Sequence, residues 1–127
     1  MNSAERARRI MIVDDDVDAG NALGAVLRLD GHDVLQLHDP CDIVAAALRF
    51  VPDAVLLDLS MPGEVGDGVA RALRRQPETA NTLLIAMTAN SGANDHRRAL
   101  RAGFDEHFVK PIDLAALRER LAREPLR

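Results

Sequence analysis

The feature that most constrains this chain is an alternation: short apolar runs, too brief for helices, are each followed by a segment whose apolar residues recur at helical spacing. Arg9–Val13 (RIMIV) is the first run, with the length and branching of a buried strand. From Asp16 onward Val17, Leu23, Val26 and Leu27 mark a helix that stops at Asp30-Gly31. Asp33–Leu37 (DVLQL) alternates like a second strand, and Asp39-Pro40 opens a helix through Ile43, Val44, Ala47 and Leu48. Ala54–Leu57 (AVLL) predicts a third strand, with a helix over Val65–Arg75. Leu83–Met87 (LLIAM) predicts a fourth, with a helix over Asp95–Ala102 that Gly103 stops. His107–Val109 (HFV) reads as the fifth strand, Lys110-Pro111 as a break, and Asp113 as the cap of a last helix through Leu114, Leu117 and Leu121.

Strict strand–helix alternation implies one parallel sheet with right-handed crossovers and helices on both faces. A closed eight-stranded barrel needs about 250 residues, and this chain has 127. An open, doubly wound α/β sheet is therefore expected, as one domain over residues 9–123. Residues 1–8 read as an N-terminal tail or linker and residues 124–127 as a C-terminal tail. In such sheets ligands sit outside the carboxyl ends of the strands.

Composition narrows what could bind there. A net charge of −4 offers no bulk attraction for nucleic acid or anionic lipid. No apolar run approaches the roughly 18–20 residues of a membrane span, and the charged start MNSAERARR carries no signal-peptide core, so a cytoplasmic location is expected. Cys41 is the only cysteine, which excludes an internal disulfide and a cysteine-based zinc site. With no Trp or Tyr, stacking of bases or of a flavin ring has little support, and no phosphate-cradling Gly/Ser/Thr-rich loop follows the first strand.

The residues that follow the apolar runs are Asp14, Asp15 and Asp16, then Asp58, Thr88 and Lys110. Carboxylates converging at one sheet edge repel, and hard oxygen donors suit Mg2+ or Mn2+. Taken alone, the cluster also admits a blander reading, with Asp16 as a helix cap beside solvated turn residues; for Asp16 itself the cap is preferred. An ammonium and a hydroxyl beside a metal–carboxylate site are suitable partners for phosphoryl oxygens, which points to phosphoryl transfer with Asp58 as acceptor.

The motifs IMIVDDD, VLLDLSMPG, IAMTAN and FVKPID, in this order and each at a strand end, resemble the response-regulator receiver domain of two-component signalling over essentially the whole chain. The resemblance implies a flavodoxin-like (βα)5 domain with strand order 2-1-3-4-5. It implies Asp14 and Asp15 as the acidic pair, Asp58 as the phosphorylated residue, Thr88 as the switch hydroxyl and Lys110 as the family's lysine. It further implies a metal held by Asp15, Asp58 and the backbone carbonyl of Ser60, with Asp14 acting through water, and a cis Lys110-Pro111 bond. Such a domain is a phosphoacceptor that promotes its own phosphorylation and dephosphorylation, not an enzyme acting on a separate substrate. Implied partners are a histidine kinase or histidine phosphotransfer protein and a downstream effector or output domain. A homodimer through the fourth helix, fifth strand and fifth helix is also implied, and no direct contact with nucleic acid or membrane.

Some positions depart from the family pattern. His107 stands where Tyr or Phe is common and is a candidate titratable switch, or else a strand-edge histidine facing solvent. AGFDEHFVKPID is more similar to receivers of hybrid kinases or phosphorelays than to those of transcription factors. Ser60 and Asn90 occupy positions that tune dephosphorylation in the family. His32, His38 and His96 read as surface residues without a role, and Cys41 as a packed or surface thiol. Arg97, Arg98 and Arg101 read as a solvated helix face that could also meet a partner. Two functions compete with the signalling switch. A docking or dimerisation module independent of phosphorylation is disfavoured by the intact cluster. A phosphohydrolase is disfavoured because Ser60 stands where an acid two residues beyond Asp58 would be needed.

Overall fold

The computed structural model describes residues 7–39, 41–61, 65–89, 92–123 and 126. Among them five strands alternate with five helices: β1 (Arg9–Val13), α1 (Val17–Leu29), β2 (Asp33–Leu37), α2 (Ile43–Phe50), β3 (Ala54–Asp58), α3 (Val65–Arg75), β4 (Leu83–Thr88), α4 (Ala93–Ala102), β5 (Glu106–Val109) and α5 (Leu114–Ala122). The strands pair in parallel, as the alternation implies, in the order β2-β1-β3-β4-β5, the flavodoxin-like arrangement that the resemblance implies.

Period-two alternation sends each strand's side chains to two separate cores. Met11, Val13, Val55, Leu57, Leu84 and Ala86 pack beneath α2, α3 and α4, whereas Ile10, Ile12, Leu56, Ile85 and Met87 pack beneath α1 and α5. The central strands β3 and β4 are buried along their whole length, which is why they read as unbroken apolar runs. Each large aliphatic side chain so buried contributes roughly 1.5–3 kcal/mol. That gain lets the same strands carry polar residues at their carboxyl ends.

Several element boundaries differ from the sequence expectation. β3 runs on through Asp58 and β4 through Thr88, because the ladder continues: Asp58 lies opposite Met87, and Thr88 opposite Val109. β5 begins one residue earlier, at Glu106. α2 starts at Ile43 and not at Asp39-Pro40. The Asp39 carboxylate accepts the Cys41 N–H at 2.8 Å, and Asp42 adopts a left-handed conformation, so the chain turns before it coils; Pro40 lies outside the described residues. α4 starts at Ala93, two residues before the expected Asp95, behind an extended Gly92. The expected caps are in place, with Asp16 accepting from Ala19 N and Asp113 from Ala116 N, and Gly103 ends α4 at φ 114°, where a Cβ would be strained.

Arg74 of α3 ties this frame together at the α4–β5 turn. Its guanidinium donates to the carbonyls of Gly103, Ala80 and Thr82 and pairs with Asp105 at 2.7 Å, and the same Asp105 oxygen accepts from Leu84 N at 2.9 Å. Removing one partner of a shielded pair leaves the other uncompensated. Arg74→Ala is therefore expected to cost about 3 kcal/mol, read as a shift of the urea midpoint, with Arg75→Ala as an exposed control that moves it little.

His32, expected at the surface, is partly buried and its Nδ1 accepts the backbone N–H of Arg8 at 3.0 Å. Burial above all, with some help from Arg8, pushes its pKa below the usual 6.5 against the opposing pull of Asp30 and Asp53. Between the depressed folded value and 6.5 the unfolded chain binds more protons, so this contribution to stability is complete above 6.5 and is lost as the pH falls through the folded value. Urea melts at pH 7.5 and 5.5 should show a smaller acid-induced loss in His32→Gln than in the native chain, and equal losses would exclude the effect.

Candidate functional site

The ends of β1, β3, β4 and β5 converge at one edge of the sheet, and each brings a polar side chain that the apolar strand behind it holds rigidly. Asp14 directly follows β1 with 2% of its surface exposed, Asp58 ends β3 with 1%, and Thr88 ends β4 with 7%. Lys110 follows β5, its N–H donating to the Thr88 carbonyl at 2.7 Å, and the Lys110-Pro111 bond is cis as the resemblance implies. The Lys110 ammonium sits 3.0 Å from Asp14 Oδ2 and 3.1 Å from Asp58 Oδ2, so one cation bridges three strand ends.

The other oxygen of Asp58 is held as firmly. Ser60 donates both its backbone N–H, at 2.9 Å, and its hydroxyl, at 2.7 Å, to Asp58 Oδ1. The sequence reading gave Ser60 a metal-binding backbone carbonyl and a position that tunes dephosphorylation, but not this contact; a hydroxyl two residues beyond an aspartate, able to bond back to it, was the available signal. On the Asp14 side the Asp16 N–H donates to Asp14 Oδ1 at 3.0 Å, while the Asp16 carboxylate is engaged as the α1 cap.

These contacts set the protonation states. Burial is the largest influence on Asp14 and raises its pKa despite Lys110 and the Asp16 N–H. Burial also pushes Asp58 upward, but the two Ser60 donors, together with Asp14 and Lys110, outweigh it and hold that carboxyl below its usual range. For Lys110, burial disfavours the ammonium, and the hydrogen bonds to Asp14 and Asp58 more than restore it, leaving its pKa raised. At neutral pH the site thus holds an ionised Asp58 against a protonated Lys110.

Carboxylate oxygens of Asp14, Asp15 and Asp58 all lie within 4.8 Å of one another. One ammonium does not balance three carboxylates, and Asp15 is exposed, so a cation that keeps part of its water shell has access. The donor set is all oxygen and fits Mg2+ or Mn2+. Beside it an apolar groove of about 300 Å3 runs between α1 and the β5–α5 loop, lined by Leu23, Val26, Ile112 and Leu114 together with Asp14 and Lys110.

Other candidates fall elsewhere. His107 does not stand at a bare strand edge: its imidazole packs against His96 of α4, with Nδ1 atoms 3.4 Å apart and ring centres 5.5 Å apart. His96 and His107 therefore form a pair that neither position suggested singly. Arg98 is more than a solvated residue, since its Nε pairs at 2.7 Å with the buried Asp67 of α3. The Cys41 thiol is exposed, at the surface, and its pKa is raised by its hydrogen bond to Asp39. His38 reaches the acidic segment through the Asp14 carbonyl. Asn90 lies outside the described residues.

Residues 10–122 match the sequence model of the response regulator receiver domain, and the chain belongs to that family. Its similar relatives include the transcriptional regulatory protein PrrA of Mycobacterium tuberculosis, 34% identical over 117 residues that make up 92% of this chain and 49% of PrrA. The DNA-binding response regulator MtrA of Mycobacterium leprae is 34% identical over 91% of this chain and 52% of MtrA. The chain thus spans about half the length of the curated relatives it matches. Among solved structures, the receiver domain of the sensor histidine kinase PA1611 from Pseudomonas aeruginosa, with a magnesium ion in its active-site cleft, superposes with TM-score 0.81 at 30% identity, covering 91% of this chain and 95% of that one. The matches thus include both transcription regulators and a sensor-kinase receiver, and the resemblance to hybrid-kinase receivers is not singled out.

Mg2+ binding to the folded state alone should stabilise it, by about 2.7 kcal/mol at a hundredfold excess over the dissociation constant. The native protein should therefore melt at higher temperature with Mg2+ than with a chelator, and Asp15→Asn should melt alike in both.

Proposed function

We propose that this receiver domain is a phosphorylatable switch in which Asp58 accepts a phosphoryl group from a phosphohistidine of a histidine kinase or histidine phosphotransfer protein. The observation that carries the proposal is the treatment of the two Asp58 oxygens: one receives two hydrogen bonds from Ser60, the other the Lys110 ammonium. A carboxylate so placed is ionised and oriented, as a nucleophile must be. One Asp58 oxygen attacks phosphorus, the P–O bond forms as the P–N bond breaks, and the imidazole nitrogen leaves with the bonding pair and takes up a proton.

Asp15, Asp58 and the Ser60 carbonyl would hold Mg2+, with Asp14 acting through water, and the ion would supply charge neutralisation for the incoming phosphoryl oxygens. Lys110 exchanges a carboxylate oxygen for a phosphoryl oxygen, and the Thr88 hydroxyl binds another. The new charge draws Thr88 toward Asp58 and biases α4 and β5, where His107 and His96 meet. That surface, with Leu100 and Val109 exposed on it, is the proposed contact for an effector, an output domain or a second copy of the chain. The domain itself is proposed to contact proteins and not nucleic acid or membrane, in keeping with its net charge of −4. Among the described residues no helix is long and apolar enough to cross a membrane, and the proposed location is the cytoplasm.

Incubation with acetyl phosphate and Mg2+ should add one phosphoryl group by intact mass, absent in Asp58→Asn and with chelator. Lys110→Ala should react about 100-fold more slowly, the usual cost of one oxyanion donor. A folded native protein that remains unmodified would overturn the proposal in favour of a docking module independent of phosphorylation.

A further inference from the structure

We infer that His38 is a positioning residue for the acidic segment, setting the Asp14–Asp15 peptide so that the exposed Asp15 carboxylate stays in reach of a divalent cation. The inference rests on the reading of the Asp14, Asp15 and Asp58 cluster as a cation site. The β1–β2 ladder ends at Val13 opposite Leu37, and both backbone groups of the next residue are held from the end of β2. Asp14 N–H donates to the Leu37 carbonyl at 3.1 Å, and the Asp14 carbonyl meets His38 Nδ1 at 3.1 Å. A carbonyl only accepts, so Nδ1 carries the proton and His38 is the donor.

That hydrogen bond does what a backbone N–H would do were the ladder one residue longer. The Asp14 carbonyl shares its peptide plane with the Asp15 N–H, so fixing one fixes the direction in which the chain leaves for Asp15. Asp14 is already anchored by its side chain through Lys110 and the Asp16 N–H. Asp15 is exposed, and its direction depends on the backbone that His38 holds. The imidazole is partly buried against α1, where a Cβ at Gly20 would lie 3.4 Å from its Cε1, so the ring has a fixed seat. Partners of this kind, acting through a ligand and not on the ion, are typically worth 10- to 100-fold in metal affinity.

Full-length His38→Asn, His38→Gln and His38→Leu are to be titrated with Mg2+ alone, following the backbone amide resonances of Asp14, Asp15 and Asp16, with circular dichroism to show each is folded. Asn places an amide donor where Nδ1 stands; Gln moves it one bond outward, and Leu fills the volume without donating. Native and His38→Asn should half-saturate within twofold of each other, while His38→Gln and His38→Leu need about tenfold more Mg2+. Folded Gln or Leu variants with native Mg2+ affinity would overturn the inference, as would an Asn variant as weak as Leu. A native protein whose Asp14–Asp16 amides ignore Mg2+ would instead overturn the cation-site reading beneath it, and the two failures are told apart by the native titration alone.

Discussion

The Lys110 ammonium between Asp14 and Asp58 is the contact on which the polar edge of this molecule depends. Two carboxylates almost wholly removed from solvent would otherwise face each other at the ends of adjacent strands. At an effective dielectric near 20, like charges about 4 Å apart repel by about 4 kcal/mol. The bridging cation at 3.0 and 3.1 Å converts that repulsion into a three-strand clasp. It does not neutralise the cluster, because one ammonium meets two carboxylates and Asp15 adds a third nearby, and this residual negative charge suits a divalent ion.

The clasp is possible because everything beneath it is rigid and apolar. β3 and β4 are buried end to end, and the two cores on opposite faces hold the strand termini in register. A one-residue slip in such a sheet would turn every side chain to the other face, so the relative heights of Asp14, Asp58 and Thr88 are set by the whole ladder. The outer connections are held differently, by polar contacts: Arg74 on the α4–β5 turn, Arg98 between α4 and α3, and Arg120 between α5 and Glu106. The α4–β5 side thus adds charged contacts and the His96–His107 pair to the apolar seat of Ala99 and Ala102.

Much of this was legible in the chain itself. Asp14, Asp58, Thr88 and Lys110 follow apolar runs directly, so period and spacing place them at strand ends, and the caps Asp16 and Asp113 follow from residue type and position. The α2 start was misplaced because Asp39 bonds to Cys41 N and Asp42 turns left-handed, a local competition that the Asp-Pro signal conceals. His32, His38 and His96 read as residues without a role because nothing in one-dimensional spacing links His32 to Arg8, His38 to Asp14 or His96 to His107, positions 24, 24 and 11 residues apart.

Hydrophobic periodicity and strand-end position are local properties, and they suffice for the parallel, doubly wound sheet and the set of polar groups at its carboxyl edge. How those groups pair comes from the packed fold: Lys110 divides itself between two carboxylates, Ser60 turns its hydroxyl back on Asp58, and His38 holds the Asp14 carbonyl. Hydrogen bonds and charge contacts depend on distances of a few tenths of an ångström between elements far apart in the chain, and only the packing of the sheet against its helices sets those distances.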